Sequence, residues 1–105
     1  MGKLVRDRIP EMIRASGRAP DISVLDADAF EAALHDKLLE EAAELRDAHG
    51  RADVLGEAAD VFEVLSAIAS LHGFTLDDVL EAAECKAAER GAFRKRLWLD
   101  GSIVN

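Results

Sequence analysis

Glu40-Glu41-Ala42-Ala43-Glu44, then twelve residues, then Glu57-Ala58-Ala59-Asp60: the rest of the chain is read outward from this stretch. The two acidic clusters fall on consecutive helical patterns joined by a short turn at His49-Gly50. Four or five carboxylates would then converge between antiparallel helices. Carboxylates packed together repel one another and are costly to desolvate, so a cation is expected among them. Oxygen-only ligands point to a hard divalent ion, Mg²⁺ or Mn²⁺, rather than zinc.

Helical phase separates the acids. The first long helix is expected from Asp26 or Asp28 to about Ala48, with Asp28-x-x-Glu31 as a capping box and Gly50 as terminator. At 100° per residue, Phe30, Leu34, Leu38 and Leu45 form one apolar stripe, and Glu41 falls inside it. Lys37 and Glu44 lie at its margin and Glu40 further round. The second long helix is expected from about Asp53 to His72, closed by Gly73, with Val54, Val61, Val64, Ile68 and Leu71 inward. Glu57 sits in the middle of that stripe and Asp60 at its edge. A helix built only to pack would carry Leu or Ala at 41 and 57. Two inward glutamates, each with a carboxylate three residues later, break the local rule where function is expected to show.

The flanks are simpler. Lys3-Leu4-Val5-Arg6-Asp7-Arg8-Ile9-Pro10 leads into a short helix with Asp7 as cap, Pro10 in the first turn, Ile9, Met12 and Ile13 inward, and Gly17 at its end. Arg6 and Arg8 are solvated surface or a phosphate or partner contact. Residues 17–25 form a connector through Pro20. A third long helix is expected from Thr75, boxed by Asp78, to Gly91, with Leu76, Val79, Leu80, Ala83 and Ala87 inward. Lys86 and Arg90 suit that helix's C-terminal dipole, or hold substrate phosphates with Arg94 as a weaker third. The tail from Ala92 to Asn105 carries Phe93, Leu97, Trp98, Leu99, Ile103 and Val104. A tail this apolar is expected to pack back on the bundle or across a dimer interface.

Composition bounds the function. One domain is expected over 1–105: an N-terminal segment (1–25), a helical core (26–91) and a packing tail (92–105). Fifty per cent hydrophobic residues, no tyrosine and two prolines favour an all-α antiparallel helical bundle. A net charge of −8 argues against nucleic acid or an anionic membrane as partner. The single cysteine, Cys85, excludes an internal disulfide. No signal peptide or membrane-spanning apolar run is present, so a cytoplasmic location is expected.

Carboxylate-held divalent ions serve best where the substrate brings its own oxygens, above all phosphates. A spare carboxylate can act as general base on a water. No P-loop occurs, and no Glu-x-x-His of the di-iron bundle type. The histidines lack metal-ligand spacing.

With those motifs in place, Glu40-Glu41-x-x-Glu44 followed by Glu57-x-x-Asp60 resembles the signature of the MazG-like all-α nucleoside triphosphate pyrophosphohydrolases. Lys37-Leu38-x-Glu40-Glu41 fits the usual lead-in. Lys3 to Glu11 and Glu89-Arg90-Gly91-Ala92-Phe93 resemble a single-domain branch related to phosphoribosyl-ATP pyrophosphohydrolase. The resemblance implies Mg²⁺- or Mn²⁺-dependent cleavage of an NTP or dNTP to NMP and pyrophosphate, in a helical bundle that is at least a homodimer. It implies Glu41, Glu44, Glu57 and Asp60 as metal ligands, with Glu40 as accessory ligand or water-placing residue. Lys37, Lys86, Arg90 and Arg94 are the candidate phosphate contacts. The further motifs of dUTP-specific members are absent, and histidine-biosynthetic members lack Leu4-Val5-Arg6-Asp7. House-cleaning hydrolysis is therefore favoured over phosphoribosyl-ATP hydrolysis. A non-catalytic nucleotide-sensing or interaction module is the alternative from another class. The intact acidic set argues against it, because without catalysis 41 and 57 would be free to become Leu. An acidic DNA mimic would need its charges outside.

Overall fold

The computed structural model describes residues 2–101. The described residues form four α-helices and no strand: α1 (Ile9–Ala15), α2 (Ala27–Arg46), α3 (Arg51–Leu71) and α4 (Leu76–Arg90). The all-α expectation holds.

α2 and α3 are the heart of the molecule. Each of about 20 residues spans roughly 30 Å. Asp26 Oδ1 accepts from the Ala29 amide at 2.9 Å and caps α2. The cap therefore sits two residues before the expected Asp28 box, because Asp26 holds the extended backbone an N-cap needs. α3 begins at Arg51 rather than Asp53. Gly50, with φ at +83°, turns the chain into it, and Asp53 Oδ2 instead accepts from the His49 amide at 3.0 Å. His72 Nε2 lies 3.6 Å from Glu31 Oε2, so the end of α3 sits beside the start of α2 and the two helices run antiparallel. Leu34 and Val64 are buried in the seam, with Phe30, Leu38, Leu45, Val61 and Ile68 half-buried around them.

α4 packs on α3 and carries the expected Thr75–Asp78 capping box. Leu76 and Val79 are half-buried, but Leu80, Ala83 and Ala87 are exposed. This corrects the expected inward stripe: among the described residues, no element covers α4 beyond its first turns. Val54 and Leu71, expected inward on α3, are exposed as well. Residues 92–101 are exposed throughout, so the described tail does not pack back on its own bundle; Ile103 and Val104 lie outside the described residues. Among the described residues, α1 packs against no other helix.

The result is a long, open molecule, 53 × 35 × 27 Å. It exposes 9438 Å². A compact chain of this mass exposes about 5,800 Å².

Candidate metal centre

The α2–α3 seam is apolar at one level and acidic at the next. Glu41 follows Leu34 by seven residues on α2, and Glu57 precedes Val64 by seven on α3, so two turns separate each acid from a core residue on its own face. Glu41 is 7% exposed, the one charged residue among the buried set. Its Oε2, and that of Glu57, are buried with no hydrogen-bond partner. Glu41, Glu44 and Glu57 each place a carboxylate oxygen within 4.8 Å of the other two.

Asp60 is not in that trio. It faces the same region, but Arg6 Nη2 donates to its Oδ1 at 2.6 Å. Glu40 lies outward, and Lys37 Nζ donates to its Oε1 at 3.3 Å while standing 3.5 Å from Glu41 Oε1. Lys86, Arg90 and Arg94 are exposed on or beyond α4 and line no part of the pocket at the acids.

The electrostatics follow from this placing. Burial pushes the Glu41 carboxyl above its ordinary value, and the neighbouring Glu44 and Asp60 carboxylates add to it, while Lys37 pulls the other way. For Lys37, burial alone would lower the ammonium's pKa, but Glu40 and Glu41 together outweigh burial and raise it. One ammonium, shared with Glu40, is a poor match for three clustered glutamates.

A divalent cation fits these residues on two grounds. The donor set is all oxygen, which suits Mg²⁺ or Mn²⁺. Two buried carboxylate oxygens also lack any partner, which is costly unless a ligand supplies one.

A pocket of about 490 Å³ opens beside the acids. Lys37, Glu41, Asp60 and Glu63 line it from α2 and α3, and residues 4–8 form a further wall. Arg6 and Glu63 are the residues that helical phase did not bring forward. Arg6 is 54 positions from Asp60, and no spacing rule joins a loop to a helix at that range. Glu63 lies three residues beyond Asp60 and one before Val64, and that i+3 step was the available signal.

Comparison with known proteins bears directly on this geometry. The phosphoribosyl-ATP pyrophosphohydrolase family matches residues 5–87, most of the chain and all of the acids above. The chain belongs to that family. The MazG-like resemblance is consistent with the assignment. The family is one of nucleotide pyrophosphohydrolases, and its typical divalent-metal dependence agrees with the glutamate trio. A Mycolicibacterium smegmatis protein, described as uncharacterized, is 63% identical over 51 residues, covering 49% of this chain and 52% of that protein. The match thus spans about half the length of that relative. No solved structure matches the chain. Among the described residues, no helix is long and apolar enough to cross a membrane.

Proposed function

We propose that this chain is a Mg²⁺-dependent nucleoside triphosphate pyrophosphohydrolase, with Mn²⁺ as substitute, converting an NTP or dNTP to NMP and pyrophosphate in a house-cleaning role. The observation that carries the reading is the pair of buried, unpartnered oxygens, Glu41 Oε2 and Glu57 Oε2, within a trio of glutamates. Glu41, Glu44 and Glu57 would hold the ion, with Asp60 beside them. When bound, the ion neutralises phosphate charge and makes a phosphorus open to attack by water. Glu40 is exposed and outside the trio, which suits it to orient that water and take its proton. The water oxygen bonds to phosphorus, the bridge between the α and β phosphates breaks, and pyrophosphate leaves. Lys37 stands between Glu40 and Glu41 and limits their mutual repulsion.

The working unit is a homodimer or a higher homo-oligomer. The support is the excess of exposed surface, with large apolar side chains open on α3 (Val54, Leu55, Phe62 and Leu65), at Leu80 of α4 and at Phe93, Leu97, Trp98 and Leu99. Lys86, Arg90 and Arg94, which line no part of the pocket of their own chain, would meet phosphates at the site of another copy.

The test is a panel of standard and damaged NTPs and dNTPs with Mg²⁺, scored for pyrophosphate against phosphate. Pyrophosphate is the expected first product, and orthophosphate would overturn the reading. The family match favours one second reading, phosphoribosyl-ATP as substrate, so that compound belongs in the panel.

A further inference from the structure

One wall of the pocket beside the acids belongs to no helix. Residues 4–8 run across it, with Leu4 and Val5 half-buried against a space also lined by Phe30, Leu34 and Val64. Its other end is charged, with Arg6, Lys37, Glu41 and Asp60. An apolar compartment running into a charged one, with a volume in the range of small-molecule sites, suits a ligand with a flat ring at one end and phosphates at the other.

Among the described residues, the segment is tied to the hairpin by one ion pair, Arg6 Nη2 to Asp60 Oδ1 at 2.6 Å. Arg8 pairs locally with Glu11, and α1 packs on no other helix. The Arg6 and Asp60 side chains are 57% and 40% exposed. A pair so open to water contributes little to stability, so a purely structural role explains it poorly. Its position is informative. Asp60 borders the trio closely enough for its charge to act on Glu41, and Arg6 occupies one of its two oxygens. A divalent ion at the trio would set like charges on both sides of that carboxylate. A guanidinium displaced there finds its natural alternative in phosphate oxygens, which it binds in a planar two-pronged fashion.

We propose that Arg6 is a phosphate-binding residue of the substrate pocket, held on Asp60 in the ion-free chain and competing with the divalent ion for that carboxylate. The proposal rests on the pyrophosphohydrolase reading above. Arg6 thereby couples two events. Arrival of the ion frees the guanidinium, and the freed guanidinium draws residues 4–8 over the phosphates, placing Leu4 and Val5 against the rest of the ligand.

The competition gives Arg6→Ala two effects of opposite sign, which a structural contact would not. Mn²⁺ titrations followed by electron paramagnetic resonance, without nucleotide, are expected to show about 3–10-fold tighter binding in Arg6→Ala, as a positive charge leaves the site's border. With the best-hydrolysed standard NTP or dNTP, KM is expected to rise about tenfold or more in the same variant, with kcat changed less. Arg6→Lys should keep part of the KM and bind Mn²⁺ nearly as wild type. Arg14→Ala, on α1 away from the pocket, controls for net charge and should match wild type in both. Unchanged or weaker Mn²⁺ binding in Arg6→Ala, or an unchanged KM, overturns the proposal. If wild type binds Mn²⁺ and hydrolyses NTP, Glu57→Ala does neither, and Arg6→Ala behaves as wild type, the Arg6 inference alone fails. If wild type does neither, the functional reading fails and the Arg6 inference falls with it.

Discussion

The α2–α3 hairpin and the region from α4 onward break opposite rules. The hairpin buries a charge, Glu41, where a packing helix would place Leu. The α4 and tail region exposes Phe93, Leu97 and Trp98, which a free surface would replace with polar residues. Each is costly in isolation, and each cost names what would relieve it. A buried carboxylate without a partner calls for a cation, whereas an exposed apolar surface calls for another protein surface. Composition alone does not separate the two cases. The position of the anomaly relative to the core does.

The comparison breaks first at Glu57. Glu57→Ala should reduce pyrophosphate release by at least about 10³-fold, with the helical circular-dichroism spectrum unchanged. Retained Mg²⁺-dependent turnover would sink the assignment of the hairpin as the centre. The other region is tested by Leu97→Glu combined with Trp98→Glu. Light scattering should show the oligomer dissociating towards the mass of one chain; a wild-type mass equal to one chain would remove the proposed assembly.

A subtler difference concerns charge. In metal-free protein, Glu41→Gln should stabilise the fold by about 1 kcal/mol at neutral pH while impairing hydrolysis. The sign follows from proton binding. Burial holds the Glu41 carboxyl above its ordinary 4.5, so the folded chain binds more protons than the unfolded one. Its contribution is therefore favourable at low pH and is lost as pH rises from about 4.5 through the raised folded value. Urea unfolding in EDTA across that window should show the decline in wild type and a flatter profile in Glu41→Gln. Smallest of all, Asp26→Ala should cost about 1 kcal/mol by loss of the α2 cap, with activity and oligomeric mass unchanged.

The hairpin was the legible part. Helical phase alone placed Glu41 and Glu57 inward, because a 3.6-residue period links sequence to facing direction without knowledge of the partner. The Thr75–Asp78 box was equally plain, being wholly local. The α4 stripe was misread because periodicity reports which face is apolar, not whether the same chain covers it. The shift of the α2 cap to Asp26 turned on a backbone angle that two nearby aspartates leave open. Arg6 was legible as solvated surface or as a phosphate or partner contact, with nothing to choose between them. Its partner on α3 depends on how a loop crosses the bundle, which no periodic rule encodes.

The short turn between α2 and α3 carries a consequence for folding order. All three clustered glutamates belong to one hairpin, closed by residues 47–50, so their approach requires only contacts between neighbours in sequence. Local contacts form early and fast. An ion can therefore be captured by a chain that has not yet met a second copy, even one whose C-terminal part is still being synthesised. Like-charge repulsion resists closing that hairpin, so an ion held by the three glutamates would act as a nucleus for folding before it served any chemistry.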